Sequence, residues 1–206
     1  MQNNKVNQML KKKLSTFEFI IIIAMNFSAI AFSIDAILPA LPEISAAMSP
    51  TSPNKTQLVI SSFVIGMGIA TLFTGPLSDS FGRKKIILLG GIIYITGALI
   101  ASYSKTLEIM LIGRFVQGIG VAGPRVVALA IVRDLYEGRR MAQIVSIAMI
   151  FFTLVPAIAP MLGALIISNF GWRSIFIAFI VFSIVSIGWL LIRQGETLSP
   201  EHRVKF

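Results

Sequence analysis

The sequence of 206 residues contains no cysteine, one histidine and few charges, since 13% of its residues are Asp, Glu, Lys or Arg. The absence of cysteine excludes disulfides, thiol nucleophiles, iron–sulfur clusters and cysteine-based zinc sites. His202 cannot form a metal site by itself, and a Ser-His-Asp set would need a histidine within the apolar part of the chain. No phosphate-binding Gly-Lys-Ser/Thr motif occurs. We therefore predict no metal, no cofactor and no enzymatic activity.

Apolar residues make up 55% of the chain. A soluble domain has about 25% charged residues, so this chain has too few charges to cover a globular surface, and we predict an integral membrane protein. Its apolar runs are long enough to span a bilayer and are continuous rather than alternating, which is typical of helices and not of a membrane barrel. The six predicted spans, which together form a bundle over 17–192, are 17–41, 57–77, 86–102, 107–132, 142–168 and 175–192.

The basic residues, which give a net charge of +9, alternate between successive connectors. Segment 1–16, the second and fourth loops and segment 193–206 contain most of the Lys and Arg residues, whereas Lys55, Lys105 and Arg173 are single cations in the first, third and fifth loops. Because cytoplasmic loops carry the positive excess, we expect a multi-pass plasma (inner) membrane protein with both ends in the cytoplasm. This distribution explains the positive charge without a nucleic-acid partner.

Three ionisable residues lie deep inside the predicted spans, where such groups face the bundle interior or water. Asp35 in the first span and Arg114 in the fourth, antiparallel span both lie about 10 Å from the outer surface. If they face one cavity, the guanidinium keeps the carboxylate ionised, and protonation of Asp35 can be coupled to ligand binding. Alternatively, Asp35 lies in a hydrated helix end before Pro39. The aliphatic carbons of the Arg114 or Arg125 side chain would then lie in the apolar region while the guanidinium reaches the membrane surface.

The fifth span contains Pro156, Pro160 and Gly163. Proline inside a helix removes a hydrogen bond and bends the axis, and small residues allow close helix approach. The pattern predicts a kinked, closely packed helix that moves, or alternatively a static kink of the kind common in membrane helices.

The connector "GPLSDSFGRKK" combines turn residues with cations at a predicted inner surface. Pro76 and Gly82 predict a tight turn, and Asp79 is a candidate cap for the helix that follows. The three cations at its end are typical of a cytoplasmic anchor.

These residues carry a resemblance to the major facilitator superfamily. The connector resembles the family's signature loop between the second and third helices, and "RFVQGIGVAG" from Arg114 resembles the fourth-helix motif of proton-coupled members. The segment "SIDAILPALPEI" and the proline-rich fifth span are similar to the bicyclomycin and chloramphenicol resistance group of drug:proton antiporters. The matched loop positions are Gly75, Leu77, Asp79, Gly82, Arg83, Lys84 and Lys85.

The resemblance implies an all-α integral membrane fold, namely the N-terminal six-helix half of a major facilitator transporter, with 193–206 as the start of the central cytoplasmic loop. It also implies efflux of small hydrophobic drug-like compounds in exchange for protons, a function linked to antibiotic resistance. The resemblance implies three sets of site residues. Those implied for proton coupling or the substrate cavity are Asp35, Arg114, Gln117 and Arg125. Those implied for a conformational gate are Gly75, Asp79, Gly82, Arg83, Lys84 and Lys85, and those implied for an antiporter helix interface are Pro156, Pro160 and Gly163.

The sequence also departs from the family's pattern. Val155, Ala159 and Ala164 occupy fifth-helix positions that are usually glycine in exporters, and Leu129 replaces an arginine found in many relatives. The family has about twelve helices in two halves, with substrate held between them, so six helices imply a partner. That partner is a complementary six-helix half or a second copy of the chain. The alternatives are an inactive truncated remnant and a membrane interaction or regulatory protein.

Overall fold

The fold is all-α over the part of the chain that the computed structural model describes, which is residues 14–48, 53–199, 201 and 203. Most of the predicted segment 1–16 therefore lies outside the described residues. The elements are α1 (Thr16–Asp35), α2 (Leu41–Met48), α3 (Leu58–Phe81), α4 (Arg83–Ser102), α5 (Leu107–Leu135), α6 (Gly138–Phe170) and α7 (Ser174–Arg193), with 3₁₀ turns at Leu38–Ala40 and Pro53–Gln57.

The six long helices, α1 and α3 to α7, are each long and apolar enough to cross a membrane, which confirms the predicted fold class. Side-chain contacts show which helix ends lie together. At one end, Arg193 at the close of α7 donates two hydrogen bonds to Glu18 in the first turn of α1, at 2.6 and 2.7 Å. At the other end, Arg173 before α7 donates to the Ser104 carbonyl oxygen after α4, at 3.1 Å. The end of the bundle at which Arg193 contacts Glu18 is called the basic end below. The α3–α4 and α5–α6 connections lie at the same end.

Helix α5 packs closely against both α3 and α4 through glycines. A Cβ atom on Gly118 would overlap the main-chain carbonyl of Phe63 in α3, and one on Gly120 would overlap the main chain of Tyr94 in α4. Small residues let helix backbones approach to this degree in a membrane. These contacts fix α5 in the interior of the bundle, where it can place polar side chains.

Helices α3 and α6 present long apolar faces to the outside of the bundle. Leu72 and Phe73 of α3 are 73% and 55% exposed, and Met161 and Leu165 of α6 are 68% and 64% exposed. Such faces are compatible with lipid or with another helical unit, and they are incompatible with water.

Helix α1 ends at Asp35, six residues before the predicted boundary at 41. Pro39 has no N–H with which to continue the helix by bonding to the Asp35 carbonyl, so the chain passes into a 3₁₀ turn. The N–H of Ala36 makes the last α-type bond, to the carbonyl of Phe32 at 3.1 Å.

The expectation of a tight turn beginning near Pro76 is wrong, because Pro76 and Asp79 both lie inside α3, which continues to Phe81. Proline removes only one helix bond here, and the ring lies on the exposed side of the helix. The break occurs at Gly82 alone, where φ is 99° and a side chain would be strained. Asp79 consequently does not cap α4.

Candidate functional site

The largest fully buried side chain among the described residues is that of Arg114 in α5. Its guanidinium donates from Nε to the Val59 carbonyl oxygen at 3.2 Å, from Nη1 to Gln117 Oε1 at 2.8 Å and from Nη2 to the Ser33 carbonyl oxygen at 3.0 Å. The Phe63 ring covers the guanidinium, with its centroid 4.4 Å from Cζ. All of these partners are neutral, and two are main-chain groups that only the folded bundle can supply.

The Arg114 cluster, defined as Arg114, Gln117, Ser33, Phe63 and Tyr94, connects four helices. The Ser33 hydroxyl lies 2.6 Å from the Tyr94 hydroxyl, and both side chains are buried. A buried cation keeps its charge at low cost only when its donors are satisfied, and a ring face adds a further attraction. The cluster therefore fixes Arg114 at the junction of α1, α3 and α4 rather than leaving it to extend towards the surface.

The structure does not bring Asp35 into an ion pair with Arg114. Among the described residues Asp35 forms no salt bridge, and Arg114 instead reaches Ser33, two residues earlier in α1. The Ser33 side chain is directed at Tyr94 of α4, and two residues correspond to about 200° of rotation around a helix, so the side chain of Asp35 points away from that contact. Asp35 is half-buried at the last position of α1.

The other two candidates of the fourth span differ from each other. Gln117 is fully buried and holds the guanidinium of Arg114 through its side-chain oxygen. Arg125 is only half-buried, and it forms no ion pair with any carboxylate of the described chain. Gln117 thus belongs to the Arg114 cluster and Arg125 does not.

A second polar cluster lies at the basic end, around the buried side chain of Arg83. Arg83 donates from Nη1 to Asp79 Oδ1 at 2.5 Å and to the Ser78 hydroxyl at 2.6 Å, and from Nε to Asp134 Oδ2 at 3.0 Å. One guanidinium at the start of α4 therefore holds the end of α3 to the end of α5. The sequence identified Asp79 and Arg83 but missed Ser78 and Asp134.

The segment after α7 closes over this cluster. Glu196 accepts hydrogen bonds from the main-chain N–H groups of Arg83 at 2.9 Å and Lys84 at 3.1 Å, which caps α4 with a carboxylate. The hydroxyl of Thr197 donates to Asp134 Oδ2 at 2.7 Å. The Arg83 cluster is defined as Ser78, Asp79, Arg83, Asp134 and Glu196. Lys84 also donates from Nζ to the Leu191 carbonyl oxygen at 2.7 Å, whereas Lys85 is exposed and Gly75 has open space around it.

The residues of the fifth-span motif have different environments within α6, which continues without interruption through both prolines. Gly163 is buried against α1, and a Cβ atom there would overlap the carbonyl of Ala36, next to Asp35. Pro160 is half-buried and Pro156 is exposed. The close helix approach predicted for this motif is thus found at Gly163.

An apolar cleft of about 460 Å³ lies between α1, α6 and α7. Aromatic side chains from all three helices line it, namely Phe32, Phe151 and Phe182, together with Met25 and other apolar groups. Such a lining can hold a hydrophobic group but offers few polar atoms for orienting one. Within the described ranges, no three His, Asp or Glu residues are grouped so that they could hold a metal ion.

Six apolar membrane-length helices around a buried guanidinium define a multi-pass helical membrane protein. Residues 21–205 match the family described as Major Facilitator Superfamily, and the chain belongs to that family. Its members are transporters. The recognition made from the loop and fourth-helix motifs is therefore confirmed.

Curated relatives include drug-resistance proteins. A bicyclomycin resistance protein homolog of Haemophilus influenzae is 34% identical over 190 residues, which cover 92% of this chain and 48% of that protein. Multidrug resistance protein MdtL of Salmonella schwarzengrund is 36% identical over 143 residues, which cover 69% of this chain and 36% of that protein. The chain thus spans about half the length, or less, of the curated relatives it matches.

Solved structures share the fold at low sequence identity. The human organic anion transporter MFSD10 matches with a TM-score of 0.71 at 20% identity, over 93% of this chain and 50% of that one. The proton:xylose symporter XylE matches with a TM-score of 0.77 at 14% identity, over 88% of this chain and 45% of that one. The described bundle therefore has the architecture of one half of a major facilitator transporter.

Proposed function

We propose that this chain is one lobe of a proton-coupled exporter of small hydrophobic drug-like compounds, located in the inner membrane with both ends in the cytoplasm. The observation that carries the proposal is the match to a bicyclomycin resistance protein homolog over 92% of this chain and 48% of that protein. The basic end of the bundle would lie on the cytoplasmic side, because cations accumulate there.

A second lobe is part of the proposal. Alternating access in this family requires one helical unit to rock against another around a central site. The exposed faces of α3 and α6, which include Leu72 and Met161, are the surfaces that a second unit would cover. That unit would be a separate six-helix chain or a second copy of this chain related by a two-fold axis.

Asp35 is proposed as the proton-coupling carboxylate. It is half-buried at the end of α1, beside the contact between Ala36 and Gly163 of α6, and it is not neutralised by a cation of the described chain. A change in its protonation alters the charge at the α1–α6 contact directly. Arg114, which is bonded to Gln117, would supply a fixed positive charge, and the electrostatic interaction of Asp35 with that charge would change when Asp35 is protonated.

The Arg83 cluster is proposed as the gate at the basic end. Its guanidinium bonds to side chains of α3 and α5 at once, so a relative movement of those helices must break or exchange these bonds. Gly82 supplies the backbone geometry that places Arg83 there, and Gly75, Lys84 and Lys85 complete the proposed switch segment.

The proposal is tested by measuring accumulation of radiolabelled chloramphenicol in cells that make the chain from its own gene. Deletion of the gene and the substitution Asp35→Asn are each expected to raise accumulation to the level that an uncoupler produces in unmodified cells. Glu43→Gln, which changes an exposed carboxylate on α2, serves as the control and is expected to have no effect. Equal accumulation in deleted and unmodified cells would contradict active export and favour an inactive remnant.

A further inference from the structure

Arg125 lies on a defined face of α5. Arg114 on that helix donates both to Ser33 of α1 and to Val59 of α3, so this face of α5 points into the groove between α1 and α3. Eleven residues separate the two arginines in the sequence, which corresponds to a rotation of only about 20° and a shift of about 16 Å along the helix. Arg125 therefore occupies the same groove, nearer to the basic end.

The opposite side of α5 is closed by helix packing. Gly113 and Gly120 contact the main chain of α4 so closely that a side chain would not fit, and Gly123 also lies against that helix. Gly118, which lies between the two arginines on the same face of α5, contacts the main chain of Phe63 in α3 as closely, so Arg114 and Arg125 lie on either side of that contact along the groove. Arg125 is half-buried there, whereas Arg114 is fully buried and has three hydrogen bonds.

The described part of the chain supplies no carboxylate partner for Arg125. All nine Asp and Glu residues of the sequence belong to the described ranges, and none of them lies within 4 Å of an Arg125 nitrogen. The closest acidic residue in sequence on the same helix, Asp134, is bonded to Arg83. A charged group at membrane depth costs several kcal/mol unless it is paired or hydrated, so this guanidinium retains a strong preference for an anion.

We propose that Arg125 is the accessible anion-binding residue of this groove, and that it binds a carboxylate or a similarly compact anionic group through the planar fork of its guanidinium. The anion comes from the transported compound or from the second lobe. This inference rests on the proposed function, because the transported compound and the second lobe that could supply the anion both belong to that proposal. Where the transported compound supplies the anion, the inference narrows the substrate class to compounds that carry a carboxylate or a similar anionic group.

The test compares two ligands of nearly the same shape, 2-naphthoate and the uncharged 2-naphthamide. The protein is purified from the cells that make it, with any bound second lobe, and placed in phosphatidylcholine nanodiscs, and binding is followed by naphthalene fluorescence. We expect naphthoate to bind at least about tenfold more tightly than naphthamide. Arg125→Gln is expected to abolish this preference without changing naphthamide binding, and Arg125→Lys to retain part of it. Arg139→Gln, which removes an exposed cation at the start of α6, is the control.

A second arm identifies the source of the anion. If the second lobe supplies it, naphthoate and naphthamide bind equally, and Arg125→Gln releases the second lobe from the complex in native mass spectrometry while Arg139→Gln does not. The proposal is overturned if the two ligands bind equally and Arg125→Gln leaves the complex intact, because Arg125 then only extends to the water interface. That result would leave the chloramphenicol assay of the proposed function unaffected, so the two failures are distinguishable.

Discussion

Gly163 of α6 lies directly against the main-chain carbonyl of Ala36, the residue that follows Asp35. No side chain separates the two helices at this point, so the position of the Asp35 backbone and the position of α6 are mechanically linked. A carboxylate placed beside such a contact can affect helix packing when it gains or loses charge. This relationship is the structural basis for assigning a coupling role to Asp35.

The substitution Gly163→Ala is expected to destabilise the bundle. Its Cβ atom would overlap the Ala36 carbonyl, and overpacking of a close contact costs about 1–3 kcal/mol. The temperature of unfolding in detergent, followed by tryptophan fluorescence, measures the effect. Gly68→Ala is the matched control, because no atom lies within 4 Å of its Cβ position and alanine favours helix. A Gly163→Ala protein as stable as the Gly68→Ala protein would show that the contact is looser than described.

Arg83→Gln is expected to lower stability by about 2 kcal/mol, because it leaves Asp79 and Asp134 without their shared cation. Both carboxylates are partly exposed, which keeps the cost below that of a fully buried pair. Chemical unfolding of the purified protein in detergent gives the value. Lys85→Gln removes an exposed cation from the same first turn of α4 and is expected to change stability by less than about 0.5 kcal/mol. Equal effects of the two substitutions would argue against the Arg83 cluster.

Tyr94→Phe tests the Arg114 cluster without removing any charge. The change deletes the hydroxyl that lies 2.6 Å from Ser33 Oγ, and loss of a buried hydrogen bond of this kind costs about 1 kcal/mol. Tyr103→Phe is the control, because Tyr103 is 77% exposed. The free energy of unfolding is measured by the same chemical unfolding in detergent. A Tyr94→Phe protein with the same free energy of unfolding as the Tyr103→Phe protein would indicate that the hydroxyls of Tyr94 and Ser33 are not bonded.

The proposed orientation in the membrane can be tested by single-cysteine labelling, which the cysteine-free sequence makes direct. In intact cells an impermeant maleimide is expected to label Lys105→Cys and to leave Lys85→Cys unlabelled. Both positions are exposed in the structure, so both should react once the cells are permeabilised. Labelling of Lys85→Cys in intact cells would reverse the orientation.

The six long helices could be predicted from the sequence because continuous apolar runs have few alternatives in a membrane. The ends of these helices were harder to predict, because a proline ends a helix in some places and lies within a continuing helix in others. Pro39 ends α1 at Asp35, whereas Pro76 and both prolines of α6 lie within continuing helices. Apolar composition does not distinguish these cases, which depend on neighbouring contacts.

Sequence motifs located the main polar residues but not their partners. Arg114 and Arg83 were identified, yet the acceptors of Arg114 include the carbonyls of Ser33 and Val59, and main-chain acceptors have no sequence signature. Asp134 lies in the last turn of α5, and nothing in the sequence marks Arg83 as its partner. Glu196 lies 113 residues from Arg83, whose N–H group it caps.

The connection between α1 and α7 was missed in the same way. Glu18 accepts hydrogen bonds from both Arg193 and Trp189. An acidic residue at the start of the first span and a basic residue at the end of the sixth share one end of an even-numbered bundle. The even number of spans, which places the start of the first and the end of the sixth on one side of the membrane, could therefore have suggested the pair of Glu18 and Arg193.

Exchange of drug for protons is measured most directly in respiring everted membrane vesicles from the cells that make this chain, loaded with an acridine dye whose fluorescence falls when the interior acidifies. Addition of bicyclomycin is predicted to restore fluorescence in unmodified vesicles, as protons leave with entry of the drug, and to have no effect in Asp35→Asn vesicles. Equal recovery of fluorescence in Asp35→Asn and unmodified vesicles would contradict the assignment of proton coupling to Asp35.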